Sequence, residues 1–313
     1  MELINGVHNL SAAHRGNVVT IGNFDGVHRG HQVLLQNLCA KAAELNVPSL
    51  LVTFEPQPRE YFAGAQVPPR LTRLREKVVL LRETGLDRLL LLPFNERTAR
   101  TPPRWVTHDL FHELLGAQFV LVGDDFRFGR GREGDFEAIK KAGDQLGYGV
   151  EHLGTLSHAE ERISSTRIRQ ALADGDFALA THLLGQEYFI MGRVVYGRQL
   201  GRQLGVPTAN IRLQRYKAAL EGVYCVEVEG IGQSSYTGIA NIGVRPTVDG
   251  KEPLLEVHVF DYSGNLYGQL LTIRFKKKLR DEQAFASIDA LKAQIDLDIA
   301  EARHWFDVRA NGD

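Results

Sequence analysis

The sequence predicts an α/β domain built on a parallel sheet, followed by a small antiparallel barrel or sandwich and a C-terminal helix. Three observations predict it. The first half of the 313 residues alternates short apolar runs with amphipathic stretches, the pattern of strands buried on both faces and covered by helices. Around residue 186 the rhythm changes to short alternating segments separated by Gly, Pro and Asp, as in a small antiparallel domain. A last stretch, roughly 287–305, carries Ile288, Leu291, Ile295, Ile299 and Trp305 at helical spacing. The length suits two domains, placed here at 1–185 and 186–313.

In chain order, strands are expected at 17–22, 48–54, 87–93, 118–123 and 149–154, with helices at 31–46, 72–84, 103–115 and 133–147 between them. Ligands of such a sheet bind outside the carboxyl ends of its strands, where the Gly22 turn and the Gly123-Asp124-Asp125 turn both fall. Helices at 165–173 and 176–185 would join the two parts. The second half offers strands at 188–196, 222–229, 236–242, 254–260 and 269–277.

Composition narrows the function classes. The chain is 43% hydrophobic and 24% charged, with no extended apolar run that could span a bilayer and no signal-peptide pattern at Met1-Glu2-Leu3-Ile4-Asn5. A net charge of −1 gives no electrostatic footprint for nucleic acid. The basic run Arg274, Lys276, Lys277, Lys278 and Arg280 alternates with Ile273 and Phe275, as a half-buried strand with a solvated rim does. Cys39 and Cys225 lie in different patterns and read as free thiols, which fits a reducing cytoplasm. His108 and His112 stand four apart, but with no third ligand in view they read as a solvated helix face rather than a metal site.

Residues 22–31 carry the most information: Gly-Asn-Phe-Asp-Gly-Val-His-Arg-Gly-His, directly after a valine-rich strand and at the start of a helix whose apolar face is Val33, Leu34, Leu35 and Leu38. Backbone N–H groups and a helix dipole at such a turn face an anion. His28 and His31, three apart, point the same way. Three further segments stand in similar places: Phe54-Glu55-Pro56-Gln57-Pro58, the run from Gly123 through Asp125 to Phe128, and Arg162-Ile163-Ser164-Ser165-Thr166-Arg167. In the last, hydroxyls at a helix start and two guanidinium groups suit a polyphosphate, although a plain helix cap is the commoner role of Ser and Thr there.

These four segments, in this order, resemble the nucleotidyltransferase module of bacterial bifunctional riboflavin kinase/FAD synthetases. The resemblance implies a Rossmann-like nucleotidyltransferase domain that moves AMP from ATP to FMN and releases pyrophosphate. It gives His28 and His31 to the phosphate oxygens during attack. Gly22, Asn23, Phe24, Gly26 and Asp125 go to the nucleotide, and Arg162, Ser164, Ser165, Thr166 and Arg167 to its phosphates. Pro56, Pro58, Phe62 and Phe128 fall beside the flavin ring. Many relatives carry Asn where this chain has Asp125.

The second half has a site of its own. Gly197, Gly201 and Gly205 alternate with Arg198 and Arg202 to form a flexible cationic loop able to wrap a polyphosphate. Thr208 and Asn210 follow as hard oxygen ligands suited to Mg²⁺ shared with ATP phosphates. In 254–260, Leu255, Val257 and Val259 face one way, Glu256 and His258 the other. Pro207-Thr208-Ala209-Asn210, Glu256 and the tail Leu279–Phe285 resemble the riboflavin kinase family. That resemblance implies a small antiparallel β-barrel with a C-terminal helix, transfer of the ATP γ-phosphoryl group to the riboflavin 5′-hydroxyl, Thr208 and Asn210 on the metal, and Glu256 as general base. The chain as a whole is then expected to be an enzyme that turns riboflavin into FMN and FMN into FAD.

Overall fold

The structure is a computed structural model that describes residues 1–124, 126–154, 157–158, 161–197, 201, 205–247 and 250–310, with backbone alone at 65, 157, 244–247 and 250–252. Its contacts divide the chain into two compact units, Met1–Val67 with Thr72–Ser165 and Pro68–Leu71 with Thr166–Asp313.

The first unit is an α/β sheet. Its strands are β1 (Glu2–Asn5), β2 (Asn17–Ile21), β3 (Ser49–Glu55), β4 (Arg88–Pro93), β5 (Ala117–Gly123) and β6 (Gly149–Leu153). Their order is β1-β4-β3-β2-β5-β6, every neighbour parallel. All five residues of β2 are buried, which fits a central strand covered on both faces. After β2 the chain steps to β3 and β4 on one side, and β5 leads to β6 on the other. The reversal lies between β2 and β5, and it opens a crevice at their carboxyl ends.

Helices cover the sheet for reasons visible in their sequences. Arg29–Glu44 buries Leu34, Leu35, Leu38 and Ala42, one stripe at helical spacing. Phe136–Leu146 starts at Asp135, whose carboxylate accepts the Ala138 N–H, and ends at Gly147 with φ 83. Trp105–Leu114 has π-type winding and buries Val106, Thr107, Leu110 and Phe111. Asn17, wholly buried at the start of β2, donates to the His14 and Leu115 carbonyls and accepts from Arg88. Each such bond adds about 1 kcal/mol net, but leaving the amide unpaired would cost more.

In the second unit six strands close into an antiparallel barrel in the order β10-β13-β12-β11-β14-β9. They are β9 (Phe189–Val195), β10 (Ala209–Arg212), β11 (Gly222–Ile231), β12 (Ser234–Thr247), β13 (Gly250–Val259) and β14 (Leu270–Arg280); a short hairpin, β7 (Ser157–His158) with β8 (Glu161–Arg162), precedes them in the chain. Closure removes the exposed strand edges that a sandwich would leave. The helix Ile288–Ala310 lies on the barrel, with Ile299, Trp305 and Phe306 against Cys225, Ile239, Phe260 and Ala302. Within it Asp298 is buried and paired with the Arg280 guanidinium at 2.8 Å. Ile288, expected on the apolar stripe, is 61% exposed, and the packing of this helix on the barrel falls further along, at Ile299, Ala302, Trp305 and Phe306. Helices Ser165–Ala173 and Phe177–Leu184 group with the barrel from Thr166 onward, and the Phe177 ring meets Tyr224 edge-on at 5.9 Å.

Candidate functional site

The turn after β2 is built to be rigid. Phe24 and Val27 hold φ of 48 and 42, and Gly26 a φ of 87. The left-handed region costs a non-glycine residue roughly 1 kcal/mol or more and persists only where neighbours over-determine it. Here they do. The Asp25 carboxylate accepts the Thr72 N–H at 3.0 Å, the Gly26 N–H donates to the Thr72 hydroxyl at 2.9 Å, and the Ser165 hydroxyl donates to the Asp25 carbonyl at 2.9 Å. Lys77 Nζ donates to the Asn23 carbonyl at 2.6 Å. Asp25 is thereby the hub of the turn, and the Ser165 hydroxyl, expected on a phosphate, is engaged in holding it.

His28 caps the helix Arg29–Glu44, its Nδ1 accepting the His31 N–H at 3.4 Å. The two imidazoles stack with centroids 3.7 Å apart and planes 15° from parallel, and Phe24 lies against His31 at 4.6 Å. A Cβ at Gly30 would stand 3.3 Å from the His28 ring and 3.9 Å from the Ile163 carbonyl. The glycine therefore lets the helix start and the 162–167 segment approach each other. Burial, then the charges of His28, Lys77 and Arg162, hold the His31 imidazole well below its ordinary value of 6.5. His31 Nδ1 is buried with no hydrogen-bond partner among the described residues.

Of the other residues expected on the phosphates, Arg162 is exposed and Ser164 half-buried in this unit, while Thr166, exposed, and Arg167, half-buried, belong to the second unit. Pro56 is exposed and Pro58 half-buried at the end of β3, and Phe62 is 70% exposed. Phe62 meets Tyr61 and Phe94 edge-on at 5.2 and 5.7 Å, and Phe54 meets Phe94 at 5.6 Å. Those rings form an apolar wall beside the crevice. Phe128 differs. It is 6% exposed, stacked on Phe126 at 5.4 Å and packed in the core, so the half-buried Phe126 lies nearer solvent. Asp125 lies outside the described residues.

In the barrel unit, strand register assembles the second group. Asn210 on β10 stands opposite Glu256 on β13, and Glu256 stands opposite Asn241 on β12. Paired residues share a face, so amide, carboxylate and amide form one row across three strands. Leu255, Val257 and Val259 point into the barrel and are buried; Glu256 and His258 are half-buried on the other face. The Pro207 carbonyl lies 2.9 Å from His258 Nδ1, which ties the Thr208 segment to β13. The glycines explain themselves by contact. A Cβ at Gly197 would stand 2.4 Å from Asn210 Oδ1, and one at Gly201 would stand 2.4 Å from the Val206 carbonyl and 3.3 Å from Thr208 Oγ1. Gly205 holds φ 82. Gly197 and Gly201 thus lie against the two oxygen donors, Asn210 and Thr208, whose hard ligand chemistry fits a magnesium ion shared with phosphates. Arg198 and Arg202 lie outside the described residues.

The sequence reading left out Asp25 as a hub, Thr72, Lys77 and Asn241. Lys77 had a signal: with Leu80 and Leu81 it occupies one buried helix stripe, an unusual place for a lysine. Asn241 had none short of the strand register.

Comparison with known proteins assigns a family to each half of the chain. Residues 10–167 match the FAD synthetase family and residues 184–306 the riboflavin kinase family. The bifunctional riboflavin kinase/FMN adenylyltransferase of Escherichia coli K12 is 50% identical over 307 residues, 98% of each chain. This chain belongs to that family. Like it, the chain joins an FMN adenylyltransferase to a riboflavin kinase. The family members from Pseudomonas fluorescens and Haemophilus influenzae are 50% and 44% identical over 97% and 98% of this chain. A crystal structure of a protein from Streptococcus pneumoniae described as a macrolide-efflux protein is 29% identical, with a TM-score of 0.80 over 97% of this chain and all of that one. Efflux stays with that description; among the described residues no helix is long and apolar enough to cross a membrane.

Proposed function

We propose that residues 1–185 transfer AMP from ATP to FMN around His28 and His31, and that residues 186–313 phosphorylate riboflavin around Glu256, Thr208 and Asn210. The observation that carries the first half is the stacked His28–His31 pair at a helix start, beside a braced turn at the crevice of the sheet. An FMN phosphate oxygen attacks the α-phosphorus of ATP, and the bond to the pyrophosphate oxygen breaks. Ring N–H groups of His28 and His31 take the developing charge on the α-phosphate oxygens, while Arg162, Ser164, Thr166 and Arg167 hold the leaving pyrophosphate. Gly22, Asn23, Phe24 and Gly26 cradle the nucleotide, and Pro56, Pro58, Phe62 and the Phe126–Phe128 stack flank the flavin. No covalent intermediate is needed, so positioning and charge stabilisation supply the rate.

In the second half the Asn210–Glu256 pairing carries the reading. Glu256 accepts the proton of the riboflavin 5′-hydroxyl as that oxygen attacks the ATP γ-phosphorus and ADP leaves. Thr208 and Asn210 would hold Mg²⁺, which neutralises phosphate charge when bound. Gly197, Arg198, Gly201, Arg202 and Gly205 are the residues assigned to the ATP phosphates. Cys39 and Cys225 are free thiols, and burial pushes the Cys225 thiol up to about 12; unreactive thiols of this kind fit the cytoplasm. Incubating the purified chain with ATP and Mg²⁺ plus riboflavin or FMN, then separating the flavins, tests the proposal. FMN and FAD from riboflavin, and FAD from FMN, are expected; no turnover of either flavin would contradict it.

A further inference from the structure

We propose that Lys77 is a positioning residue of adenylyl transfer: its buried ammonium group holds the turn that carries the nucleotide and supplies positive charge beneath His31. This rests on the role given above to His31.

Lys77 is wholly buried in the helix Leu74–Arg82. A lysine is almost never buried unless its charge is used, because desolvating an ammonium group costs several kcal/mol. Its Nζ donates to the Asn23 carbonyl at 2.6 Å and to Thr53 Oγ1 at 3.4 Å, and the Thr53 hydroxyl in turn reaches the same carbonyl at 3.4 Å. The carbonyl so held belongs to the residue just before Phe24, the first left-handed position of the turn. Thr72, two residues ahead of that helix, braces Asp25 and Gly26 at the other end. One segment therefore fixes both ends of a backbone that would relax if released, and misplacing a reacting group by 1 Å costs about 10²-fold in rate.

The charge matters as well as the bond. The titratable and charged groups acting on His31 are His28 from its own helix start, Lys77 from Leu74–Arg82 and Arg162 from β8, all cationic or neutral. Together with burial they favour the neutral ring, which donates one N–H to phosphate and keeps its other nitrogen unprotonated.

The test uses the full-length chain as Lys77→Gln, Lys77→Arg and, alongside, His31→Ala. FAD formation from FMN is followed against pH, and FMN formation from riboflavin reports that each variant is folded. Lys77→Gln removes the charge and, one bond shorter, holds the Asn23 carbonyl out of its present place. It is expected to lose about 10²-fold in kcat with little change in KM for FMN, and its acid limb should move to higher pH. Lys77→Arg should retain much of the activity with the limb in place. A Lys77→Gln chain with normal kcat and an unmoved limb overturns the proposal, as do Gln and Arg variants equally impaired with limbs unmoved. Should Lys77→Gln not fold, titration of the His31 ring by NMR in the unmodified chain decides, and an ordinary midpoint counts against Lys77. An inactive His31→Ala beside an unaffected Lys77→Gln condemns the role of Lys77 alone; an active His31→Ala condemns the site.

Discussion

The two units build their sites by opposite means. In the α/β unit the reactive groups sit on turns at strand ends, and rigidity comes from side chains that clamp the backbone: Thr72 on Asp25 and Gly26, Ser165 on Asp25, Lys77 on Asn23. In the barrel the groups stand on the strands, and register places Asn210, Glu256 and Asn241 in one row. A turn-built site writes itself into ten consecutive residues. A register-built site leaves short fragments far apart in sequence and acquires meaning only once the strands pair. The first is therefore exposed to loss of distant supports, and the second to changes at the reacting residue itself.

Substitutions that hit one site and spare the other sharpen this contrast. The largest effect is expected of Glu256→Gln, which removes a general base worth about 10²–10⁴ in rate. FMN production from riboflavin should collapse while supplied FMN is still converted to FAD, as flavin chromatography would show. Next come His28→Ala and His31→Ala, each removing a charge-stabilising donor worth about 10²–10³; FAD formation should fail and FMN accumulate. Gly197→Ala comes third. Its methyl group would stand 2.4 Å from Asn210 Oδ1, so kinase KM for MgATP should rise severalfold while FAD synthesis from FMN keeps its rate.

Two stability effects follow. Asp298→Ala removes the carboxylate that pairs with Arg280 and accepts from Gln294, and should cost about 1.5–3 kcal/mol in urea unfolding of the barrel unit, the range for bonds to charged groups. The smallest effect concerns His31. Its folded-state value lies below its ordinary 6.5, so the unfolded chain binds the proton first as pH falls. Stability contributed by the neutral ring is then full above 6.5 and declines as pH falls below it. His31→Asn should flatten that slope in melts recorded across the window.

The sequence revealed most of the architecture because its signals were local. Strongly apolar runs such as Leu89–Leu92 and capped helices such as Asp135–Gly147 appear within a residue or two of their expected places. The missed elements were short. β1 buries only Ile4 of its four residues, and β10 is four residues hidden behind Pro207. The helix Pro58–Ala63 begins on a proline inside a segment read as loop. At the adenylyl-transfer site the motif residues were plain, but their supports were not. Thr72 and Lys77 lie 46 and 54 residues from the backbone they hold, and no periodicity announces such a bond. Phe128, an aromatic next to a motif, is packed in the core with Phe126 stacked on it, a burial that sequence position alone does not reveal.

One measurement bears most directly on the claim that a single chain carries two separable sites. His31→Ala and Glu256→Gln chains would each be given ATP and Mg²⁺ with riboflavin, and separately with FMN, and the flavins resolved. The account predicts that His31→Ala makes FMN from riboflavin and no FAD from either flavin, whereas Glu256→Gln makes FAD from FMN and nothing from riboflavin. Loss of both activities in either variant, or retention of both, would contradict it.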